Sequence, residues 1–442
     1  MAKNVARRAA APPDGQVPSG SFDLNDLKPP NLGVMGLALE HPQWIFRILR
    51  RFFPIIKIPF TDIIIVTRFD DVQEVLDQQS IFQVPFDQRM EELNAGPNFV
   101  LGMQDGPKYR LYQQAIMQAF RLEDIDDIVA PMAASMSAAI LAHSTGRLDA
   151  IRDLITAVPT SICERYFGLP IPDKVEFANW TLAMATYIFA DPTDDPGYHR
   201  AAVAAGDRVR PLVDAAIDEA RRGHVATNTV LARLTAPQGK TQNLTNEDIR
   251  SLLTGMITGF IPTNTLAGGH ILEMLLDRRD CLGPTREAAQ AGDDELLKRC
   301  LFEVMRLQPL NPGPFRVCRK DYVIANGTSR ARQIKADTRV LACTQSAMLD
   351  PRFITNPNKF DPDRQPSDYS MVFGHGVHWC VGAFIAQAHL VGAFKSLLRK
   401  DGLRRAKGSA GQMQRIGPYP SHLIVEFQSE KKGGHHCTGG IP

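Results

Sequence analysis

One cysteine, Cys380, stands where its side chain could bind a metal ion. It ends the glycine-containing stretch FGHGVHWC and directly precedes the apolar run VGAFIAQAHLVGAF, which predicts a helix. A thiol at a helix N-terminus meets free backbone N–H groups and the positive end of the helix dipole, and both lower its pKa. Gly374, Gly376 and Gly382 let the backbone turn tightly and approach a flat cofactor. The pattern predicts a thiolate ligand, although an inert buried cysteine also fits this context.

The residues around Cys380 resemble the haem-ligand loop of the cytochrome P450 family. The family pattern, Phe-x-x-Gly-x-x-x-Cys-x-Gly, is met by Phe373, Gly376, Cys380 and Gly382. In that family the cysteine thiolate binds the iron of haem b and pushes electron density onto it, which favours cleavage of the O–O bond. The resemblance therefore implies the cytochrome P450 fold, with Cys380 as the iron ligand.

A second motif at a fitting distance is the pair Glu303 and Arg306 in FEVMRLQP. The two residues lie one helical turn apart, which alone would indicate an ordinary surface salt bridge. The later segment KFDPDR places Arg364 where the family has a third partner. The resemblance implies a buried, structural network of these three residues that fixes the fold around the cofactor.

The resemblance also implies contacts to the haem propionates. Arg316 in GPFRVCRKD corresponds to the family's propionate-binding arginine, and His378, two residues before the ligand, commonly reaches the other propionate. Both side chains suit the task, because carboxylates that enter an apolar interior need cationic or hydrogen-bonding partners.

Two other propionate ligands of typical members are absent. A histidine and an arginine four residues apart are replaced here by Tyr109 and Gln113. Tyr109, Lys108 or Arg110 is expected to substitute, and the sequence leaves open which of the three points inward.

A long helix is predicted from Thr245 towards Asp277. The residues T-N-E-D fit a capping box at its start, and its middle is apolar on all sides. We therefore expect the helix to cross the interior of the protein. Its glycines, among them Gly255, Gly268 and Gly269, predict that neighbouring groups come close to its backbone.

The middle of this helix departs from the family. Monooxygenases of the family usually read Ala-Gly-x-(Asp or Glu)-Thr-Thr above the iron, whereas this chain reads TGFIPT. Thr258 and Gly259 occupy the first two positions, so Gly259 is a candidate cofactor contact. Ile261 replaces the acid and Pro262 replaces the alcohol that together relay protons.

Pro262 also lacks a backbone N–H, so the carbonyl of Thr258 loses its helical partner and the helix is expected to kink. A kink would bring Thr263, Asn264 or an ordered water above the iron. Thr263 and Asn264 are therefore the candidate catalytic groups.

Three functions remain open. The first is a monooxygenase that uses O2 and electrons from a separate ferredoxin or flavoprotein reductase. The second is a peroxygenase or a fatty-acid hydroperoxide isomerase, because family members of these kinds often lack the acid and the alcohol. Peroxygenases that carry a proline at the position of Pro262 also have an arginine before it, where this chain has Ile261, so that mechanism is not supported. The third is a protein that binds haem or a ligand without turnover.

The substrate of either enzyme is expected to be an apolar small molecule. Seven residues lie in segments that line the pocket in similar proteins: Phe82, Phe86, Phe99, Met184, Tyr187, Phe189 and Phe315. An ordinary place in the core is the alternative for each of them.

Composition favours a globular, intracellular enzyme over a nucleic-acid-binding protein. The 442 residues include 50 Lys and Arg against 48 Asp and Glu, and a net charge of +2 is too small to attract nucleic acid. Seven cysteines without a CxxC pair indicate a reduced, cytoplasmic compartment. Nothing in the sequence predicts the oligomeric state.

The predicted fold class is mainly α with a small β-rich lobe, because helical periodicity dominates from Tyr109 onward. Residues 44–428 are predicted to form a single catalytic domain, after a loose leader (1–43) and before a flexible tail (429–442). The tail's His435, His436 and Cys437 are not expected to bind a metal ion.

The segment WIFRILRRFFPIIKIPF is apolar and basic, as in helices that lie on membranes. Pro54 and the β-branched residues that follow favour a β-hairpin instead, and no membrane contact is expected. DDVQEVLDQQS predicts a short helix, and the stretch from Phe82 to Met103 predicts a loop.

Overall fold

Helices form most of the chain in the computed structural model, which describes residues 42–191, 194–236, 244–365 and 370–429. The α-helices in this part are α1 (Pro42–Phe52), α2 (Phe69–Asp77), α3 (Asp87–Asn94), α4 (Pro107–Ala119), α5 (Ala130–His143), α6 (Ala157–Arg165), α7 (Lys174–Ala185), α8 (Pro196–Arg221), α9 (Val230–Thr235), α10 (Asn246–Asp277), α11 (Arg279–Ala291), α12 (Asp294–Leu307), α13 (Thr344–Ala347) and α14 (Ala383–Leu398). Short π-helical segments precede α5 and α6 and follow α7, at Ile125–Val129, Ala150–Thr156 and Thr186–Ala190.

The strands are short and form small sheets. They are β1 (Ile55–Lys57), β2 (Ile63–Val66), β3 (Phe82–Gln83), β4 (Arg147–Asp149), β5 (Phe315–Cys318), β6 (Tyr322–Ile324), β7 (Arg332–Ile334), β8 (Arg339–Ala342), β9 (Arg404–Arg405), β10 (Gln414–Ile416), β11 (Tyr419–His422) and β12 (Ile424–Glu426). The largest sheet has the order β1-β2-β8-β5-β3, in which only the β2–β8 pair is parallel. The predicted class, mainly α with a small β-rich lobe, is confirmed.

The predicted hairpin and the predicted short helix after it are both confirmed. Strands β1 and β2 pair antiparallel, with Ile55 opposite Val66, and α2 follows directly. A separate small core forms where α2 packs on this sheet, and it includes Val72, Leu76 and Val340. The larger core surrounds α10.

Helix α10 begins and ends where the sequence predicts. The Thr245 side chain accepts from the Asp248 N–H, and the Asp248 carboxylate accepts from the Thr245 N–H, so the capping box is present. The helix is buried along most of its length and passes through Pro262 without interruption.

Neighbouring side chains fill the space that a Cβ would occupy at several glycines of α10. An added Cβ would lie 2.1 Å from the Phe99 ring at Gly255 and 2.6 Å from Ile155 at Gly268. Gly259 differs, because no atom lies within 4 Å of the place its Cβ would take. The backbone of α10 is thus closely packed on both sides of Gly259 and open at Gly259 itself.

The loop predicted from Phe82 to Met103 is wrong in part. The segment contains strand β3, helix α3 and a 3-10 turn at Val100–Gly102. Helix α3 is short and mostly polar, but it buries Met90, Leu93 and Asn94. Tertiary packing stabilises it where local periodicity gives little signal.

One helical stretch of the described residues, Ile125–His143, is long and apolar enough by length and composition to span a membrane. Only 22% of this stretch is buried, and its contact with the core includes Ala133 of α5, which packs closely against Gly392 of α14. The leader up to residue 41 and the tail from residue 430, with its His435, His436 and Cys437, lie outside the described residues.

Candidate active site

The loop before α14 holds the Cys380 thiol in a fixed place. The Cys380 N–H donates to the Phe373 carbonyl at 2.9 Å, so the loop closes on itself. Gly374 and Gly376 have φ values of 82° and 72°, a left-handed conformation that favours glycine. Gly382 is the N-cap of α14, so the sulfur lies at the N-terminal end of that helix, as the sequence predicts.

The electrostatic environment of the thiol differs from the prediction. Burial raises the pKa of Cys380, although the Gly382 N–H donates a hydrogen bond to the sulfur that works in the other direction. The predicted lowering of this pKa is wrong, because desolvation outweighs the helix terminus. A metal cation bound at the sulfur would favour the thiolate and reverse the balance.

Arg316 of β5 is a buried cation without a carboxylate partner among the described residues. Its side chain donates to the Phe315 carbonyl at 2.9 Å, and its Nε has no hydrogen-bond partner. Burial lowers its pKa to about 10, so the guanidinium stays charged at neutral pH. Such a group is costly to bury unless an anion meets it.

His378 of the thiol loop lies near this charge. Burial, and then the charge of Arg316, lower the pKa of His378 to about 4. The imidazole is therefore neutral at physiological pH and can donate one hydrogen bond.

Tyr109 of α4 contacts the same loop. Its hydroxyl donates to the Val377 carbonyl at 2.7 Å, and its ring meets the His378 ring edge-on at 5.3 Å. Gln113 donates to the Tyr109 hydroxyl at 3.4 Å, and burial raises the pKa of Tyr109 to about 12. The two residues that replace the family's histidine and arginine thus form a neutral pair at the thiol loop.

The two other candidates on this helix point away from the loop. Lys108 lies 3.8 Å from the Asp248 carboxylate, and Arg110 pairs with Asp105 at 3.0 Å; both side chains are exposed. Of the three substitutes left open by the sequence, only Tyr109 is buried beside the loop.

Glu303, Arg306 and Arg364 come together as the resemblance implies. Arg306 donates twice to the Glu303 carboxylate, at 2.7 and 2.8 Å, and once to the Met348 carbonyl. Arg364 donates to Glu303 at 3.2 Å and to the Asn356 carbonyl at 2.8 Å. Arg306 is only 1% exposed, so the pair is buried rather than a surface salt bridge. The three side chains join α12 to the segment that leads to the thiol loop.

The candidate catalytic groups of α10 are engaged with their own helix. The Thr263 hydroxyl donates to the Gly259 carbonyl, and the Asn264 amide donates to the Phe260 carbonyl at 2.7 Å. Thr263 is partly exposed on the same side as Gly259, whereas Asn264 is buried. Neither side chain is released from the helix as the predicted kink at Pro262 would require.

Other polar atoms of the same helix have no partner. The hydroxyls of Thr254 and Thr258 and the Asn264 Oδ1 are buried without a hydrogen bond among the described residues. The Thr258 carbonyl also lacks its helical donor, because Pro262 has no N–H. The sequence predicted the lost donor at the Thr258 carbonyl, but it did not single out the hydroxyls of Thr254 and Thr258, since a threonine in an apolar helix is unremarkable by itself.

The aromatic residues expected at the pocket have divided roles. Phe82 packs edge-on against Tyr322 in the small core, away from α10. Phe99 covers Gly255, and Phe86 meets Phe189 edge-on at 5.5 Å. Phe86, Phe99 and Phe189 are therefore better candidates than Phe82 for a pocket wall.

Comparisons with known proteins agree with this arrangement. The sequence model of the family Cytochrome P450 matches residues 284–407. Erythromycin C-12 hydroxylase of Saccharopolyspora erythraea is 26% identical over 76% of this chain and 81% of its own length. The bifunctional dioxygenase–epoxy alcohol synthase of Fusarium oxysporum is 31% identical over 31% of this chain and 11% of its own length. The open structure of the cytochrome P450 Eryk from S. erythraea superposes with a TM-score of 0.74 at 22% identity, covering 92% of this chain and 100% of that one.

The chain has the cytochrome P450 fold, and the model of the cytochrome P450 family matches its C-terminal part. It is accordingly a P450-type oxidoreductase.

The site suits the haem that this family implies. Arg316 offers a buried positive charge that lacks an anion, and His378 and Tyr109 stand beside it. Gly259 leaves open space on α10, and Cys380 presents a thiol at the N-terminal end of α14. These features match an iron ligand, a propionate site and room for a flat ring.

Proposed function

We propose that this protein is a monooxygenase that binds haem b through Cys380 and oxidises an apolar small molecule, using O2 and electrons from a ferredoxin or flavoprotein reductase. The observation that carries the proposal is the buried, unpaired Arg316 guanidinium next to the thiol loop. It supplies the charge that a haem propionate needs in an apolar interior.

The protein's own groups have distinct tasks. Cys380 is the metal ligand, with Phe373, Gly374, Gly376 and Gly382 shaping its loop. Arg316 and His378 would bind the propionates, Tyr109 would hold the thiol loop beside them through its bond to the Val377 carbonyl, and Gly259 would leave room for the ring. When bound, the haem supplies the activation of oxygen and its transfer to the substrate.

Proton delivery would then depend on α10. Thr263 and Asn264 already donate to backbone carbonyls. The Thr258 hydroxyl has no partner and lies one turn before Pro262. A water bound between that hydroxyl and the Thr258 carbonyl, to which Pro262 cannot donate, would supply the proton donor that Ile261 and Pro262 lack.

A hydroxylase with 26% identity over three quarters of the chain supports oxygen insertion. We also propose that residues 44–428 act as one domain in the cytoplasm. In support of a reduced compartment, the six cysteines within the described ranges are all free.

A second candidate is a peroxide-using enzyme, either a peroxygenase or a fatty-acid hydroperoxide isomerase. The side chains of Thr263 and Asn264 favour this candidate, because both already donate to backbone carbonyls instead of standing ready to relay protons. A peroxide brings oxygen that is already reduced, so its use needs no separate proton relay. The local similarity to an epoxy alcohol synthase points the same way.

The first test is spectroscopic. The purified, reduced protein under carbon monoxide should show the strongly red-shifted Soret band of thiolate ligation, and Cys380→Ser should abolish it. Cys300→Ser, which alters a buried cysteine of α12, should leave the band unchanged. A histidine-type spectrum for the wild type would refute the proposal.

The second test separates the two oxidants. A monooxygenase should couple NADPH oxidation to product with surrogate redox partners, whereas hydrogen peroxide or a lipid hydroperoxide should mainly bleach the haem. Faster turnover with a peroxide, together with a gain of O2 chemistry in Ile261→Glu/Pro262→Thr, would establish the second candidate. Haem binding without turnover under either condition would leave only a binding protein.

A further inference from the structure

Helix α1 carries an apolar ridge on its outer side. Trp44, Ile48 and Phe52 follow one another at four-residue spacing, so they lie along one face. All three are exposed, Trp44 by 57% and Phe52 by 62%. The opposite face is anchored in the protein by Phe46, which packs in a small core with Leu341. The ridge is therefore not the side by which α1 binds its own fold.

The exposed apolar surface is concentrated in this region. Eleven large apolar side chains of the described residues are exposed, and five of them lie within residues 44–60: Trp44, Ile48, Phe52, Phe53 and Phe60. Isolated exposed apolar residues are ordinary, but a contiguous group indicates an interaction surface.

Positive charges border the ridge. Arg47 and Arg51 are exposed and lie on the flank of the ridge at helical spacing, and the Arg51 guanidinium stands 5.5 Å from the Phe52 ring centre. Arg50 faces inward instead and donates to the Ser346 carbonyl at 2.8 Å. The helix contains no acidic residue.

The tip of the β1–β2 hairpin has an unusual conformation. The Thr61 N–H donates to the Ile58 carbonyl, which closes a turn with Phe60 in its third position. Phe60 has a φ of 62° and is fully exposed. Glycine is the residue that this position favours, so a bulky aromatic here is strained and gains nothing from burial within its own chain.

The sequence favoured a hairpin without membrane contact, but the structure has both an amphipathic helix and the hairpin. We propose that α1 and the hairpin tip dock the protein on the surface of an anionic lipid bilayer. Aromatic and aliphatic side chains on an amphipathic helix enter the boundary between headgroups and acyl chains, and flanking arginines bind lipid phosphates. A second copy of the chain fits less well, because a symmetric contact would bring Arg47 and Arg51 of both copies together without an acidic partner on the helix. The proposal is independent of the reaction that the protein catalyses.

The test uses the full-length protein and sedimented vesicles of phosphatidylglycerol or phosphatidylcholine. Binding to the anionic vesicles is expected, with weaker binding to the neutral ones and at high salt. Arg47→Gln/Arg51→Gln should weaken anionic binding about fivefold for each charge removed. Arg147→Gln/Arg404→Gln, which removes two exposed arginines elsewhere, should bind as the wild type does.

The ridge itself is tested by paired variants. Ile48→Ser/Phe52→Ser should reduce vesicle binding at least tenfold, whereas Leu122→Ser/Val175→Ser, which alters equally exposed apolar side chains on other elements, should not. Brominated lipids should quench the tryptophan fluorescence of the wild type, and Trp44→Phe should remove that quenching. Phe60→Gly should bind vesicles more weakly and yet melt at a higher temperature, because it relieves the strained turn.

Several outcomes would overturn the proposal. One is equal binding to both lipids, and another is no binding by the full chain. Quenching that persists in Trp44→Phe would place another surface at the membrane. A dimer that Ile48→Ser/Phe52→Ser converts to a monomer would show that a second copy covers the ridge.

Discussion

Arg316 carries a charge that the surrounding protein leaves without a counter-ion. Burial lowers its pKa to about 10, and its Nε has no partner among the described residues. In the haem-free protein this charge opposes folding, because a buried cation is stabilised only when an anion meets it. The residue is therefore suited to a ligand that brings a carboxylate.

Arg316→Met should consequently have opposite effects on the empty and the loaded protein. We expect the haem-free variant to be more stable to urea by about 1 kcal/mol or more, since apolar replacement of a buried charge is often stabilising. Haem affinity should fall by about 1.5–3 kcal/mol, the range for a hydrogen bond to a charged group, as measured by haem transfer to an acceptor protein. Arg319→Met, at an exposed position three residues later, should change neither quantity. Unchanged haem affinity in Arg316→Met would remove this arginine from the propionate site.

Residue types and spacing predicted which side chains gather at the site, but not their pKa values or which of them face inward. The motif around Cys380 indicated the loop, but the direction of the thiol pKa was wrong because it depends on burial, which the motif does not encode. Lys108, Tyr109 and Arg110 are consecutive on a helix and point about 100° apart. Only the packing of the helix decides that Tyr109 faces inward.

At the scale of elements, α10 has a capped first turn and a middle in which Pro262 removes one backbone hydrogen bond. Its capping box fixes the first turn, and close packing at Gly255 and Gly268 fixes its position. Pro262 then removes one backbone hydrogen bond from a buried helix, and a proline in a helix interior costs about 3 kcal/mol. The Thr263 and Asn264 side chains bond the neighbouring carbonyls of Gly259 and Phe260, and the Thr258 carbonyl is left without its helical donor.

Pro262→Ala should restore the missing donor and raise the free energy of unfolding by up to about 3 kcal/mol. The matched control is Pro211→Ala, which changes a proline inside α8. Both variants should gain stability in urea, but only Pro262→Ala should alter the coupling of NADPH oxidation to product. Equal coupling in the two variants would show that the disrupted turn has no part in oxygen chemistry.

Elements with a clear local signal were predictable, and a short polar helix without one was not. Helix α10 has a capping signal and an apolar run of several turns, so local sequence suffices to place both ends. Helix α3, with the sequence DQRMEELN, is polar and lies between Pro85 and Gly96, which favour a loop. It forms because Met90 and Leu93 find partners that are distant in sequence. The structure therefore adds the elements that exist only through tertiary contact.

The whole molecule depends on the connection between its helical core and the long irregular segment that leads to the thiol loop. Glu303 and Arg306 anchor this segment from α12 through Met348, Lys359 and Asp361. Arg364 extends the same network to residues 355 and 356. The backbone hydrogen bonds of these irregular residues include local turns, such as those from Phe353 to Asp350 and from Lys359 to Asn356. Such turns do not fix the path of the segment relative to α12, which we assign to the buried ion pairs.

Glu303→Gln should destabilise the whole protein, because it leaves the Arg306 charge buried without a full counter-charge. Breaking a buried pair in this way costs about 3–5 kcal/mol, a large share of the stability of a typical domain. The control lies on the same helix: Glu295→Gln breaks the exposed Lys298–Glu295 pair, which has the same spacing, and should cost less than about 1 kcal/mol. Urea unfolding followed by circular dichroism measures both, and the Soret band reports haem loading of the same samples. A loss in Glu303→Gln no larger than that in Glu295→Gln would mean that the segment is held by its apolar contacts, and that the thiol loop keeps its place without the network.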